Sequence, residues 1–553
     1  MTRAERFMDI LQSTGVNLFA DSPSRLIPYM NHRGFTDQEI SCLSKMAETE
    51  PKSLSEIIVS EDEASLLNAV SKLSKTFKSD CKICASLIED LRKASDMYFG
   101  RPQLVDSLFD VKSIKAVKDR YGTLVTKDFI FSPVENGVAL EKYQGSRSAV
   151  VIPDNVLYEG SAHPVVAIAG WAFEGLSFIT SVSLPYSLTS IGDRAFADCS
   201  ELKFIEIPSG VSNIAFDAFD GCDSLQAFSV DVANGHFASD SQGLLFSIER
   251  KSVVMAPATI EGDVVIPDQV VAIDESAFYD CSNLKSIVAR GSLETIGSWA
   301  FEGCTSLESV ALGSNLKLID SGAFFGCRSL KKLDIPDGVR IIESRALSGC
   351  TSLREISLPG TLSTIGKWAF EGCASLEEIL IPGSVSKLGQ GFFYGCDSLR
   401  RIDVDPSNPS FNSDEFGILY DRKRCVMLRA PKAVSGRLSV RDGTAIINER
   451  GFEGCRDIEH LELPESVSLI GRRAFAGCSG LKALAIPPMV KSIPDGAFAG
   501  CTSLESVTIP EGVAKIGCGT FSDCPSLKEV RLPKSATSIG YGAFDEGVRI
   551  IRE

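Results

Sequence analysis

The chain has 553 residues, of which 44% are hydrophobic and 23% charged, so it can bury a large core and is neither disordered nor collagen-like. Its formal charge of -16 at pH 7 disfavours the basic groove of a nucleic-acid-binding protein. The sequence shows no signal peptide and no apolar run of about 18 residues that could span a bilayer, which predicts a cytoplasmic protein. Exposure at the cell surface would then require an unconventional export route.

Residues 1–120 are predicted to form a small all-α domain of unknown family. Capping boxes, in which a hydroxyl residue precedes Glu by three positions, begin at Thr2, Thr36 and Ser60. Apolar residues recur at helical spacing after the third box. The pattern predicts a helical bundle, in which a specific function could reside.

The same segment contains the C-x-x-C pair Cys81 and Cys84, with His32 and Cys42 upstream. Zinc binding would require all four side chains to converge, and the spacing matches no known finger. We interpret the pair as structural thiols, with metal binding and redox chemistry as the alternatives. The histidines of the chain are scattered and no phosphate loop or nucleophile motif is present, so the sequence predicts no catalytic residue, no cofactor and no enzyme activity.

Beyond residue 120 the sequence repeats at intervals of 23 residues. A reference position, which we call the cysteine slot, recurs 14 times from Leu176 to Gly547. Ile lies eight residues before the slot and Phe three residues before it, except at Leu388 and Leu347. Two gaps of 59 residues indicate two insertions. The slot is occupied by Cys199, Cys222, Cys281, Cys304, Cys327, Cys350, Cys373, Cys396, Cys455, Cys478, Cys501 and Cys524.

Each repeat ends in a Leu-x-x-Ile-x-Leu segment that is usually followed by Pro, and residues 365–382 show the motif almost whole. A period of about 20 to 29 residues with this core is typical of leucine-rich repeats, whose coils bury their apolar side only by stacking on neighbours. We therefore predict a leucine-rich repeat solenoid of about 14 coils over residues 161–553. The Leu-x-x-Ile-x-Leu segments should form short parallel strands on the concave face, opposite a wall formed by Val-x-x-Ile-Gly-x-x-Ala-Phe.

The Ala-Phe-x-Gly-Cys-x-Ser-Leu consensus resembles that of the BspA-like (Treponema pallidum-type) leucine-rich repeat family, over about residues 121–553. The resemblance implies an N-terminal β-hairpin cap at residues 121–160, because the segment from Phe129 to Gly145 is similar to the cap of that family. It also implies a non-catalytic protein-binding solenoid, which in this family is often a microbial adhesin or host-interaction protein. The alternative is an intracellular adaptor or regulator whose N-terminal helical domain is the effector.

The two insertions lie near residues 230–266 and 404–440 and align with each other without a gap. Asn234 matches Asn408 at an offset of 174 residues. Alternating apolar residues predict that each insertion is a β-hairpin that buds from the solenoid. The hairpin would either brace a bend or contact a ligand as a flap.

We interpret the slot cysteines as buried thiols that pack as small hydrophobes. A chain without a signal peptide would reside in a reducing compartment, where thiols persist. A ladder of disulfides between neighbouring coils is the alternative, since stacking would bring the slots within disulfide range.

The third and fifth residues of each predicted strand should point outward, which defines a candidate binding strip on the concave face. In-register stacking would place Lys332 beside Glu355 and Glu378 beside Arg401, so these charges would neutralise one another. The alternative is that the strip contacts a protein partner of unknown identity, with Leu380 as an apolar anchor. The central part of the strip is Lys332, Asp334, Glu355, Ser357, Glu378, Leu380, Arg401, Asp403, His460 and Glu462.

Trp171, Trp299 and Trp368 occupy the same position of the repeat, five residues before the slot. This position falls on the predicted convex side. A convex aromatic patch is one interpretation, but three coils separate Trp299 from Trp368. We therefore expect each indole to lie over its own coil.

The end of the sequence bears on the oligomeric state. The chain stops within a predicted strand, at Ile550 and Ile551. An open last coil could pair with a second copy to form a homodimer. Charged residues nearby would protect the edge, and on this ground we favour a monomer.

Overall fold

The computed structural model of the protein describes residues 113–119, 122–423 and 425–552. Residues 1–112, which make up most of the predicted helical bundle, lie outside the described residues. The candidate thiols Cys81 and Cys84 belong to this part of the chain. The end of the segment that the sequence assigned to helices forms strands instead, at Ser113–Lys115 and Val117–Lys118. Tertiary pairing accounts for the difference, because Ser113–Lys115 lies parallel to a strand of the cap.

The described residues form two compact units. The first comprises residues 113–249 with 254–259, and the second comprises residues 250–253 with 260–552. Within each unit the repeats contribute strands to two parallel ladders. We call the ladder formed by the Leu-x-x-Ile-x-Leu segments the strand face, and the ladder of short strands that end at the recurrent Ile the wall.

The first unit begins with a cap that starts both ladders. An antiparallel hairpin joins Phe129–Val134 to Gly137–Tyr143 through Asn136, which has a φ of 68°. Gly137–Tyr143 then pairs in parallel with Ser161–Ile168, the first strand of the wall. Ala149–Val151 pairs with Ser181–Ser183 to begin the strand face. The cap thus covers the apolar end of the first coil with side chains such as the fully buried Phe131.

The strands of the first unit are short and follow the repeat. In the cap they are Ser113–Lys115, Val117–Lys118, Leu124–Val125, Phe129–Val134, Gly137–Tyr143 and Asn155–Tyr158. On the strand face they are Ala149–Val151, Ser181–Ser183, Phe204–Ile207 and Ala227–Val230. On the wall they are Ser161–Ile168, Ser190–Ile191 and Asn213–Ile214, and the first insertion adds the hairpin Phe237–Ser239 and Leu245–Ser247.

The second unit continues the same arrangement. On the strand face its strands are Gly262–Val265, Leu284–Ala289, Ser309–Leu312, Lys332–Asp334, Glu355–Ser357, Glu378–Ile381, Arg401–Val404, Ser435–Ser439, Asp457–Glu462, Ala483–Ala485, Ser506–Thr508, Glu529–Leu532 and Arg549–Arg552. On the wall they are Ser252–Met255, Ala272–Ile273, Thr295–Ile296, Leu318–Ile319, Ile341–Ile342, Thr364–Ile365, Lys387–Leu388, Val426–Arg429, Ile446–Ile447, Leu469–Ile470, Ser492–Ile493, Lys515–Ile516 and Ser538–Ile539. The second insertion adds Phe411–Ser413 and Leu419–Asp421.

The predicted solenoid of stacked parallel strands is confirmed, and it has about 18 turns instead of the expected 14. The insertions explain much of the difference. In the second one, Phe411–Ser413, Leu419–Asp421 and Val426–Arg429 form an antiparallel meander, and the last of these then pairs in parallel with the wall. Ser435–Ser439 joins the strand face beside Asp457–Glu462. Each insertion is therefore a hairpin followed by additional coil, not a hairpin alone.

A buried asparagine fixes the start of each insertion. The side chain of Asn408 donates to the carbonyls of Pro382 and Val385 at 2.8 and 2.9 Å, and its Oδ1 accepts from the backbone N–H groups of Ser410 and Phe411. Asn234 makes the matching four bonds in the first insertion. All the hydrogen-bonding capacity of a fully buried amide is thus used, which explains why the two insertions share this residue.

The core consists of apolar columns that run from coil to coil. Ile296, Phe301 and Cys304 are fully buried in one repeat, as the spacing predicts. The Phe301 ring stacks between Phe278 and Phe324, with centroids 5.0 and 5.2 Å away. Since each ring contacts the same residue of the next coil, the 23-residue period itself produces the continuous core.

The slot cysteines of the described residues are free thiols and they bind the backbone of the preceding coil. Cys327 Sγ donates to the carbonyl oxygen of Phe301 at 3.2 Å. The same bond recurs from Cys350 to the carbonyl of Phe324. The carbonyl also accepts from a backbone N–H group of its own coil, so the thiol fills a small core position and adds a second hydrogen bond, which an alanine could not do.

Two positions of the coil require left-handed backbone. One directly precedes the slot and is mostly glycine, for example Gly326 with a φ of 72°. The other is the tryptophan position, where Trp299 has a φ of 57° and Gly322, in the next coil, a φ of 63°. The indole of Trp299 covers Gly322 and meets the Phe325 ring edge-on at 5.7 Å. The indoles of Trp299 and Trp368 were expected to lie over their own coils, but they reach over the following coil, where Gly322 and Gly391 leave room for them.

The last turn is shorter than the repeat. Arg549–Arg552 pairs with Glu529–Leu532 so that Glu529 faces Arg549, three residues earlier than the 23-residue interval requires. Phe544 still stacks on Phe521 at 5.3 Å. The predicted slot at Gly547 is therefore wrong, since the chain takes a shorter turn with left-handed backbone at that residue.

Candidate functional site

The candidate strip lies on the strand face of the second unit. Its residues alternate with buried ones, so that Leu333 and Ile379 enter the core while Lys332 and Leu380 point away from it. Leu380 is 56% exposed and lies in register with Asp403. Of the ten residues, Asp403 and His460 are half-buried and the other eight are exposed.

The strand register places the charged residues beside one another as predicted, but the side chains pair differently. Lys332 faces Glu355 and Glu378 faces Arg401. Lys332 Nζ lies 3.4 Å from the Asp334 carboxylate in its own strand and 4.0 Å from that of Glu355. Arg401 donates to Asp403, also in its own strand, at 2.8 Å. Pairing along the strand therefore competes with the expected pairing between coils.

These ion pairs hold the side chains only weakly. Their side chains are 39 to 74% exposed, and ion pairs of this kind contribute about 0–1 kcal/mol. The hydrogen bond to Asp403 raises the pKa of the Arg401 guanidinium, so its charge is constant at any physiological pH. A partner with complementary charges could exchange these pairs for its own at little cost.

The structure adds residues to the strip that the sequence analysis missed. Ser435–Ser439, which was assigned to an insertion, is a strand of the same face and pairs with Asp457–Glu462. Arg437 lies in register with His460, and its side chain is exposed. The sequence contained a signal for this strand. Arg437, Leu438 and Ser439 repeat the outward, inward and outward order of the other strands.

The thiols of the core are not arranged for catalysis. Burial raises the pKa of the Cys350 and Cys396 thiols to about 12, so they are protonated at neutral pH and unreactive as nucleophiles. Within the described residues, no group of three or more His, Cys, Asp or Glu side chains is placed to hold a metal ion. Over the same residues, no helix has the length and apolarity needed to cross a membrane.

The repeats match a known family model. The model of the BspA type leucine-rich repeat region matches residues 163–240, 260–337, 318–418 and 437–550, which together make up more than half of the chain. About half of each insertion, residues 241–259 and 419–436, falls between these segments. A comparison with curated proteins gives no match.

Several solved structures are similar to this chain. A leucine-rich cell surface protein from Faecalibacterium prausnitzii is 23% identical, with 79% of this chain and 96% of that chain covered and a TM-score of 0.47. A leucine-rich repeat protein from Bacteroides ovatus is 26% identical, with coverage of 78% and 99% and a TM-score of 0.43. The T. pallidum leucine-rich repeat protein is 25% identical, covers 44% of this chain and 86% of its own, and has a TM-score of 0.24.

Proposed function

Because the chain belongs to the BspA-type leucine-rich repeat family, we propose that it is a non-catalytic protein-binding protein that acts in adhesion or host interaction at a microbial surface. The strand face of the second unit is its binding surface. The observation that supports this most is the exposure of Leu380 within a row of weakly paired charges. An apolar anchor surrounded by polar side chains is the usual composition of a protein-binding site.

The alternative of an intracellular adaptor depends on the predicted helical bundle, which lies outside the described residues. The location of the protein, at the cell surface or inside the cell, distinguishes these two proposed functions. Protease treatment of intact source cells should remove the band of residues 150–553 while a cytosolic protein stays intact. Protection of that band until lysis would contradict adhesion and favour the adaptor.

Binding through the strand face is tested with a matched pair of variants. Leu380→Asp places a charge at the proposed anchor, and Tyr541→Asp makes the same change at a residue of the wall that is 94% exposed. Both sites are exposed, so both variants should fold with the melting temperature of the wild type. We expect Leu380→Asp to lower the affinity for a surface or host protein that the wild type captures by tenfold or more. Equal affinity of the two variants would place the binding surface elsewhere.

A further inference from the structure

An open cleft lies on the wall of the second unit, at the point where the second insertion interrupts the ladder. Its volume is about 460 Å³, within the range of ordinary ligand sites. The aromatic side chains of Phe393, Tyr394 and Phe411 line it together with Leu388 and Arg429. The cleft thus combines apolar walls with a cationic group, and it is distinct from the strand face.

One side of the cleft is an unpaired strand edge. In the preceding coil, the carbonyls of Ser363 and Ile365 accept hydrogen bonds from the N–H groups of Lys387 and Gly389, at 3.2 and 2.8 Å. The corresponding carbonyls of the next strand are those of Ser386 and Leu388. Among the described residues nothing donates to them, because Lys387–Leu388 is the last strand of its sheet. They remain available to a strand supplied by another chain.

The buried cationic group is Arg429, which is only 5% exposed, whereas the other cation of the lining, Lys387, is exposed. Its guanidinium donates to the carbonyl of Arg450 and lies 5.3 Å from the centre of the Tyr394 ring. In the part of the chain that the structure describes, no carboxylate comes within the 4.0 Å of an ion pair with it. A buried charge without a counterion is costly, so an anion bound in the cleft would offset that cost.

Other charged groups at the cleft limit what that anion can be. Arg450 lies over the other side of Tyr394, at 5.1 Å, and its Nε is 3.7 Å from Glu453. Asp421 and Glu449 also line the cleft, and Asp421 accepts a hydrogen bond from the backbone of Lys423. With Lys387 and Arg429 they leave the lining without an excess of positive charge, which disfavours a ligand with several negative charges. A single carboxylate directed at Arg429 fits the arrangement.

We propose that this cleft binds an extended peptide segment that carries one carboxylate, by adding a strand to the edge at Lys387–Leu388. Two N–H groups of the peptide, from residues two apart, donate to the carbonyls of Ser386 and Leu388 in the spacing of a parallel ladder. The carboxylate pairs with Arg429, and apolar side chains of the peptide contact Phe393 and Phe411. The carboxylate belongs either to the C-terminus of the peptide or to one acidic side chain.

The first insertion provides a natural substitution for the test. At the offset of 174 residues, the position of Arg429 is occupied by Met255, which is buried as well. The same module therefore folds with methionine at this place. Arg429→Met removes the charge and keeps an unbranched side chain, so it should preserve the fold while abolishing recognition of the carboxylate.

The experiment measures retention of synthetic hexapeptides by the full chain, using affinity selection and mass spectrometry. Four pools share the same randomised apolar and neutral polar residues. The first has a free C-terminal carboxylate and the second a C-terminal amide. The third has an amide and one internal Glu, and the fourth has a free carboxylate but is N-methylated at alternate residues. We expect retention of the free-acid pool, the internal-Glu pool, or both, and at least tenfold less retention of the amide and N-methylated pools. Arg429→Met should lose the difference between acid and amide, while Tyr541→Asp should keep it.

Several outcomes would overturn the proposal. Failure of the wild type to retain either carboxylate pool excludes a peptide site. Equal retention of N-methylated peptides excludes strand addition, and this comparison holds even if Arg429→Met fails to fold. Retention that is equal for acid and amide, or that Tyr541→Asp removes, assigns the binding to another surface. Preferential displacement of peptides by a small carboxylate such as benzoate, at equal concentration, would identify a small-molecule site instead.

Discussion

At the scale of single residues, the cysteines show how one side chain can serve packing and hydrogen bonding together. A slot thiol is small enough for the crowded turn and donates to a carbonyl of the preceding coil. Its pKa is raised by burial, to about 12 at Cys350, because the thiolate would be desolvated there. The folded state therefore favours the protonated thiol.

This pKa shift predicts how stability depends on pH. A thiol with an ordinary pKa of 9.0 and a folded pKa of about 12 stabilises the fold fully below pH 9, and this contribution is lost as the pH rises toward 12. We expect the melting temperature to be constant from pH 7 to about pH 8.5 and to fall steeply above pH 9. Variants with exposed Cys425 and Cys518 replaced by serine should behave identically, since those thiols are not in the core.

Alkylation at pH 8 measures whether each thiol is buried and protonated in the folded protein. Among the cysteines of the described residues, iodoacetamide should modify Cys425 and Cys518 in the native protein, and the slot cysteines only after unfolding in denaturant. Modification of Cys327 or Cys350 under native conditions would show that the thiol column is open to solvent. That result would contradict the coil register described above.

The left-handed tryptophan position allows a matched test of backbone and packing. Gly322 and Gly542 occupy it in two coils, with φ values of 63° and 60°. A methyl group at Gly322 would overlap the indole of Trp299, whereas nothing lies within 4 Å of the same position at Gly542. Gly542→Ala should cost about 1–2 kcal/mol of unfolding free energy from backbone strain alone. Gly322→Ala should cost clearly more, and Trp299→Ala should remove the excess in the double variant. Equal costs in urea titrations would show that the indole is elsewhere.

At the scale of secondary-structure elements, the stacking of phenylalanines determines how the coils depend on one another. Phe301→Ala should destabilise the middle coils by about 3–5 kcal/mol, because it leaves a cavity between two stacked rings. Tyr541→Ala, at a side chain that is 94% exposed, is the control and should change the unfolding free energy little. An unchanged melting curve for Phe301→Ala would contradict the position of this ring in the core.

The 23-residue repeat made many of the buried positions in these elements predictable from the sequence. Ile, Phe and Cys recur at fixed offsets, so the sequence correctly predicted which residues are buried in a coil such as that of Phe301. The coil strand Ser435–Ser439 was missed because it lies in an insertion whose length does not fit the period. The position of the Trp299 indole depended on the glycine of the next coil, and a pattern within one repeat does not contain that information. The pairing of Arg401 with Asp403 depended on side-chain rotamers, which no spacing specifies.

At the scale of the whole molecule, the function of the described solenoid depends on which of its long surfaces meets a partner. The strand face offers Leu380 among charges that are held weakly, and the wall offers the cleft at Arg429. These surfaces are independent, since they lie on different ladders. We propose that the strand face is the surface that binds a protein partner.

Site-specific photo-crosslinking tests this claim most directly. The full chain, carrying benzoylphenylalanine in place of Leu380, is produced in the source cells and irradiated with and without added host extracellular proteins. A second form carries the same group in place of Tyr541 as the control for the wall. We predict a discrete adduct with another protein from position 380 and none from position 541. No adduct from position 380, or the same adducts from both positions, would contradict the account.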